Sequence, residues 1–87
     1  MAKYKLLYKK PAVKDIKALP VQIQRRLASK LEFFVSQDDL LSFAEPLTKP
    51  ADAQFRYRLG DYRILFDVEN DSLIVLRVQH RREVYRR

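Results

Sequence analysis

The sequence has no cysteine and one histidine. Disulfides, a cysteine nucleophile and a thiolate metal site are therefore ruled out, and we expect neither a structural zinc site nor a cofactor. Long apolar runs are also missing, since nothing approaches the roughly 20 apolar residues of a membrane span. The opening MAKYKLLYKK lacks the apolar stretch of a signal peptide. We expect a cytoplasmic protein that does not contact a membrane.

Glycine and proline are scarce, at one and four residues in a chain of 87. Hydrophobic residues make up 47% of the chain. This composition argues against a disordered or fibrous protein. The length predicts one domain, spanning residues 1–87, with a core barely large enough to be stable alone.

Lysine is absent after Lys49, and arginine carries the positive charge in the rest of the chain. The net charge is +7, from 18 Lys and Arg against 11 Asp and Glu, which suits a partner with phosphates or an acidic protein. Lysine would serve solubility equally well, but the planar guanidinium group binds phosphate through two hydrogen bonds. The bias therefore favours phosphate recognition. The arginines after Lys49 are Arg56, Arg58, Arg63, Arg77, Arg81, Arg82, Arg86 and Arg87.

The first half of the chain predicts one strand followed by two helices. Residues 3–9 alternate apolar side chains with lysines, which predicts an edge strand. A short helix is predicted to begin at Pro11 and to end before Pro20, and a longer amphipathic helix runs from residue 21 to about residue 37. The following stretch, SQDDLLSFAEPLTKPADA, is predicted to be a loop with one helical turn around residues 40–44.

The segment FRYRLGDYRILF, residues 55–66, predicts a hairpin whose turn is the dipeptide Gly-Asp. Alternation along the strands places the apolar side chains on one face and Arg56, Arg58 and Arg63 on the other. Arg58 then lies directly opposite Arg63, and like charges in that position destabilise a sheet. The pair is either tolerated on a solvated face or a site for an anion.

The last strand, SLIVLRVQHR, has a register that depends on Arg77. A two-residue turn at residues 70–71 would send Arg77 into the core, so we predict a three-residue loop at residues 69–71 instead. Arg77 then faces Arg63, with Arg81 farther along the same face. The residues predicted to point inward are Ile74, Leu76 and Val78. The cations predicted to converge on the opposite sheet face are Arg56, Arg58, Arg63, Arg77 and Arg81.

Together these elements predict an α+β fold: a small antiparallel or mixed four-stranded sheet with two N-terminal helices on the face opposite the arginines, in the order β-α-α-β-β-β. The motifs YRLGDYRILF and HRREVYRR, with EPLTK before them, resemble the RelE/ParE family of toxins from bacterial and archaeal toxin-antitoxin systems. The resemblance covers nearly the whole chain, and it implies the same arrangement of two helices against one face of a small sheet.

The resemblance implies an activity and a set of site residues. Members of the RelE branch are ribosome-dependent endonucleases that cut mRNA in the ribosomal A site, and a cognate antitoxin holds them inactive. Arg56 and Arg58 stand where that branch carries two basic residues, usually lysines, and Arg63 matches its arginine after the hairpin. Arg81 and Tyr85 resemble the arginine that ends the last strand and the tyrosine of the C-terminal motif. The implied partners are the ribosome, mRNA and an antitoxin, whose acidic, partly disordered segment would also suit the +7 surface.

Cleavage by the RNA's own 2′-hydroxyl requires a base, an acid for the leaving 5′-oxygen and cations for the phosphorane, and it needs no metal. Arginine supplies the cations but is a poor base, because its pKa lies above about 12. The base is therefore open between Tyr85 and His80. His80 has the strand parity of the inward residues and could instead cap the core. Further contacts to RNA or the ribosome are assigned to Arg77, Arg82, Arg86 and Arg87.

Two other function classes remain open. The ParE type of the same family inhibits DNA gyrase by binding it and carries out no known chemistry. A basic RNA-binding or ribosomal module without toxicity would explain the charge but not the two motifs. The basic residues of the hairpin, together with Arg81 and Tyr85, favour the nuclease.

Overall fold

The computed structural model describes residues 3–48 and 53–80. Within these residues a mixed sheet has the strand order β1-β5-β4-β3-β2, in which β1 runs parallel to β5 and the other neighbours are antiparallel. The elements in chain order are β1 (Lys5–Tyr8), α1 (Lys10–Lys17), α2 (Val21–Val35), a 3₁₀ turn (Leu40–Phe43), β2 (Glu45–Pro46), β3 (Phe55–Leu59), β4 (Tyr62–Glu69) and β5 (Ser72–His80).

The predicted α+β class is confirmed, but the predicted strand count of four is wrong. The fifth strand is β2, which pairs with the start of β3 and forms the edge of the sheet opposite β1. It has two residues, and one of them is proline. A segment this short shows no alternation, so the sequence pattern carried no signal for it.

The helices begin and end close to the predicted positions. Pro11 lies in the first turn of α1, where its missing N–H costs nothing. Helix α2 begins directly after Pro20 and ends two residues earlier than predicted, where Ser36 donates hydrogen bonds from its backbone N and its hydroxyl to the carbonyl of Phe33. In the described part of the chain, neither helix is long and apolar enough to span a bilayer.

One core lies between the helices and one face of the sheet. Leu27, Leu31 and Phe34 recur at helical spacing on α2 and are almost fully buried. The ring of Phe34 lies 4.6 Å from that of Tyr57 and 5.9 Å from that of Phe66, measured between centroids. The helices therefore cover the sheet face that carries the apolar side chains of the hairpin, as predicted, and leave the other face to the arginines.

The β3–β4 hairpin has the predicted register. Leu59 pairs with Tyr62 and Arg58 pairs with Arg63. The turn uses Gly60 at φ +59°, a left-handed conformation that glycine adopts without steric cost.

The predicted register between β4 and β5 is wrong. The turn has two residues, so that Glu69 pairs with Ser72, and Leu73 and Val75 are buried where Ile74 and Leu76 were expected. A bulge then shifts the ladder between Leu65 and Phe66. The prediction assumed an uninterrupted ladder, in which a two-residue turn would bury the charge at position 77.

The extra residue of the bulge is Leu76, because Phe66 pairs with Val75 whereas Leu65 pairs with Arg77. The insertion reverses the parity of the strand beyond it. Val75 and Val78 can therefore both enter the core although they are three residues apart.

Candidate functional site

The sheet face opposite the helices carries Arg56 and Arg58 on β3 and Arg63 on β4, and we call it the arginine face. Its three cations share one side because each alternates with a core residue along its strand. Arg58 and Arg63 are paired across the two strands. Arg58 is exposed, whereas Arg63 lies on a strand with neighbours on both sides and is 8% exposed.

Arg63 is the buried charged residue of the described chain. Burial removes water from its guanidinium group, and the cation directly across from it adds repulsion. Both effects oppose a positive charge at this position. An anion that bound beside Arg58 and Arg63 would relieve both, because guanidinium groups form charge-assisted hydrogen bonds with phosphate and carboxylate oxygens.

Glu45 joins the arginine face from β2, where it pairs with Arg56. The Arg56 Nη2 donates a hydrogen bond of 2.7 Å to the Glu45 Oε2. That hydrogen bond and the Arg56 charge, with weaker contributions from Arg58 and Arg63, hold the pKa of the Glu45 carboxyl below its usual value of 4.5. The carboxylate is therefore ionised at neutral pH and partly neutralises the cluster.

Sequence reasoning missed Glu45 as a site residue, although EPLTK was one of the motifs noted. Its contact with Arg56 spans 11 residues and depends on the two-residue strand β2. The Nε of Arg56 is buried and donates no hydrogen bond to the described residues. Arg56 is thus held at one end by Glu45 and retains a donor that the fold leaves unsatisfied.

Arg77 does not lie opposite Arg63, and that prediction is wrong. It pairs with Leu65, because the two-residue turn and the bulge each move it one position along the ladder from its predicted partner. Its Nε donates to Asp15 Oδ2 at 2.8 Å and its Nη2 donates to Asp15 Oδ1 at 3.2 Å. The position beside Arg63 is occupied by Gln79.

His80 lies on the other side of the sheet from the arginine face. It pairs with Tyr62, whose side chain alternates with that of Arg63, and the two rings meet edge to face with centroids 5.0 Å apart. The predicted alternative, that His80 follows the parity of Val78 toward the packed side, describes this position. The structure does not bring His80 together with Arg58 and Arg63.

Several predicted site residues lie outside the described residues. They are Arg81, Arg82, Tyr85, Arg86 and Arg87. Their assigned roles stay predictions. Among the described residues, no group of three or more His, Asp or Glu side chains is placed to hold a metal ion. The chemistry available on the described arginine face is anion binding by three guanidinium groups beside one carboxylate.

Comparison with known proteins places these features in one family. Residues 6–85 match the family model described as the ParE toxin of type II toxin-antitoxin systems. The toxin RelE3 of Methanocaldococcus jannaschii is 34% identical in an alignment of 83 residues that covers 93% of this chain and 94% of that protein. The toxin RelG of Mycobacterium tuberculosis is 33% identical over 88 residues, covering 97% of this chain and 98% of that protein.

The fold is similar as well. The crystal structure of the toxin-antitoxin complex RelBE2 from Mycobacterium tuberculosis contains a chain that superposes with a TM-score of 0.76 at 28% identity. The alignment covers 91% of this chain and 99% of that one. The likeness therefore extends over most of the fold.

Proposed function

Because this chain belongs to the RelE/ParE superfamily of toxins from type II toxin-antitoxin systems, we propose that it is a ribosome-dependent endoribonuclease. It cleaves mRNA in the ribosomal A site and thereby inhibits translation in the cytoplasm. The names of its relatives in Methanocaldococcus and Mycobacterium, RelE3 and RelG, support the nuclease branch.

The observation that carries the proposal is the pairing of exposed Arg58 with buried Arg63. A sheet gains no stability from two cations directly opposite each other. A phosphate that becomes more negative during reaction would gain from both, since preorganised donors stabilise charge that develops in a transition state. The arginine face thus suits a reaction at phosphorus better than it suits the fold alone.

The reaction we propose uses the RNA's own 2′-hydroxyl. Its oxygen attacks the adjacent phosphorus, the bond from phosphorus to the 5′-oxygen breaks, and the products are a 2′,3′-cyclic phosphate and a 5′-hydroxyl. A base takes the proton of the 2′-hydroxyl and an acid protonates the 5′-oxygen. Arg58 and Arg63 stabilise the phosphorane, and no metal takes part.

The mechanism also requires a base for the proton of the 2′-hydroxyl. Arginine does not titrate near neutrality. His80 lies across the sheet from the arginine face, and the lowered pKa of Glu45 makes it a weak base. Tyr85, which follows the last strand in the sequence, is therefore our candidate base. We propose Arg81 as a further phosphate ligand.

A cognate antitoxin is the partner that the structural relatives support, since those from Mycobacterium tuberculosis and Methanococcus jannaschii were solved as toxin-antitoxin complexes. We propose that an acidic antitoxin segment covers the arginine face and folds as it binds. Carboxylates can pair with the same guanidinium groups that bind phosphate. The antitoxin would therefore block RNA directly.

A ParE-like inhibitor of DNA gyrase is the second candidate, because the matching family model is the ParE model. In that case the arginine face is a binding surface, and Arg58 and Arg63 take no part in a reaction. The two candidates make opposite predictions for translation and for supercoiling.

The deciding experiment maps mRNA 5′ ends in a purified translation reaction, with and without ribosomes, beside a gyrase supercoiling assay. New ends phased to codons, formed only with ribosomes, support the nuclease. The double variant Arg81→Ala, Tyr85→Phe should then leave mRNA intact while remaining folded. Intact mRNA with impaired supercoiling would instead establish the gyrase inhibitor.

A further inference from the structure

The second half of β5 has a helix instead of a strand along its outer edge. Strand β1 pairs with β5 as far as Val75, and the N–H of Lys9 then donates to the Val75 carbonyl at 2.9 Å. Beyond that point α1 lies against β5. The N–H of Val78 points toward α1 and donates to Asp15 Oδ2 at 2.9 Å.

Asp15 therefore binds two consecutive residues of β5. One carboxylate oxygen accepts from both the Val78 N–H and the Arg77 Nε, and the other accepts from the Arg77 Nη2. The Asp15 side chain is 17% exposed, so these hydrogen bonds are partly shielded from water and stronger than those of a surface ion pair.

The contact lies directly after the bulge at Leu76. The bulge decides which face each later residue of β5 occupies, because one added residue reverses the strand parity. In the observed register Val78 enters the core and Gln79 lies beside Arg63. The Asp15 carboxylate binds β5 in this register from a helix more than sixty residues away in the sequence.

We propose that Asp15 is a positioning residue for the nuclease site. By holding Val78 and Arg77, it fixes the end of β5 that completes the arginine face at Gln79 and that continues in the sequence to Arg81. Arg77 serves this anchor and is not an RNA ligand. The inference rests on the proposed nuclease function.

The test compares Asp15→Ala and Asp15→Asn with Asp38→Ala as a matched control. Asp38 is also an ion-paired aspartate, with its Oδ1 3.3 Å from the Lys3 Nζ, but its side chain is 85% exposed and it lies in the turn after α2. Asp15→Asn retains an acceptor for the Val78 N–H and loses the charge that holds Arg77. Hydrogen exchange at the Val78 amide reports on the anchor, and cleavage of ribosome-bound mRNA reports on the site.

We expect Asp15→Ala to speed exchange of the Val78 amide at least about tenfold, because a hydrogen bond to a charged acceptor is lost. The cleavage rate at saturating ribosomes should fall by about tenfold or more, since small misplacements of catalytic groups are costly. The half-saturating ribosome concentration should not change. Asp15→Asn should lie between Asp15→Ala and wild type, and Asp38→Ala should equal wild type.

The double variant Asp15→Ala, Arg77→Ala should be no worse than the poorer single variant, because both changes break one contact. A wild-type cleavage rate in Asp15→Ala would overturn the proposal. So would a loss that matches the unfolded fraction measured by circular dichroism. If Asp15→Ala is too unstable to assay, the same comparisons decide on Asp15→Asn.

Failure of the proposed function would look different. Wild-type protein would then leave mRNA intact on the ribosome, which refutes the nuclease and, with it, the catalytic purpose of the anchor. Hydrogen exchange at the Val78 amide tests the contact between Asp15 and β5 separately from the nuclease function. Exchange in Asp15→Ala as slow as in the wild type would refute that contact as an anchor.

Discussion

Replacing Arg58 with glutamine should make the protein more stable and less active. Arg58 lies directly opposite Arg63, and Arg56 is two residues along the same face. Glutamine keeps most of the side-chain stem, so the change removes mainly the charge. A cross-strand pair of like charges costs about 0.2 to 1 kcal/mol, and the attraction of Arg58 to Glu45 offsets part of this cost.

We therefore expect Arg58→Gln to gain about 0.5 kcal/mol of unfolding free energy. In a domain of this length 1 kcal/mol corresponds to about 4–8 °C in Tm, so the gain should be about 2–4 °C. Thermal unfolding followed by circular dichroism measures it. The gain should shrink in about 1 M salt, where the Debye length falls to about 3 Å.

Arg25→Gln is the matched control. Arg25 is exposed on α2, and its replacement removes the same charge without a cation across a strand. Its Tm should stay near that of the wild type. A similar rise in both variants would show that net charge, and not the pair with Arg63, limits stability.

The same Arg58→Gln variant should lose mRNA cleavage. Removing one preorganised donor from a developing anion typically costs about 10²–10³ in rate. Cleavage on ribosomes is compared at a temperature at which both proteins are folded. A lower Tm, or an undiminished rate, would refute the reasoning that Arg58 is kept for chemistry at the expense of the fold.

Three further predictions concern the core and the acidic side of the cluster. Phe34→Ala should lose about 3–5 kcal/mol of unfolding free energy, because its buried ring contacts aromatic rings on both the 3₁₀ turn and the sheet; a loss below about 1 kcal/mol in urea unfolding would contradict this packing. Glu45→Gln should release Arg56 to bind one more phosphate of a single-stranded RNA. The slope of the logarithm of the binding constant against the logarithm of salt concentration, measured by fluorescence anisotropy, should then steepen by about 0.7. An unchanged slope would show that Arg56 does not reach RNA. Because the pKa of Glu45 is lowered in the folded protein, its carboxylate stabilises the fold fully above pH 4.5, and this stabilisation is lost as the pH falls through the folded-state pKa. A titration midpoint of the Glu45 carboxyl at or above 4.5, measured by NMR, would contradict the contact with Arg56.

Local patterns predicted the parts of the fold that local forces determine. The hairpin from Phe55 to Phe66 combines strict alternation with a Gly-Asp turn, and both its register and the pairing of Arg58 with Arg63 are as predicted. Helix α2 has an apolar stripe long enough to define its buried face. These features depend on neighbours within a few residues, which a sequence pattern records.

The errors all arise from contacts that are distant in sequence. Strand β5 was placed one step off before the bulge, because the turn has two residues and not three. Beyond the bulge it was two steps off, because the extra residue Leu76 has no sequence signature here. The bulge, and not the predicted three-residue loop, keeps Arg77 out of the core. Glu45 and Asp15 were not predicted as partners of arginines, because an ion pair that spans many residues appears only when the topology is known.

The two carboxylates divide the arginines into an outer and a central group. Arg56 and Arg77, in the outer group, are bound to Glu45 and Asp15. Arg58 and Arg63, in the central group, lie directly opposite each other across the hairpin. An anion that binds the central pair should therefore stabilise the folded protein, as any ligand specific to the native state does.

Under the proposed function this stabilisation applies equally to an RNA phosphate and to an acidic antitoxin segment. Both would be drawn to the same guanidinium groups, so they should exclude each other, and each should raise the Tm of the wild type more than that of Arg58→Gln. The cost that the opposed cations Arg58 and Arg63 impose on the fold then becomes a driving force for both partners. Inhibition by the antitoxin and catalysis on RNA would thus depend on one electrostatic feature of the sheet.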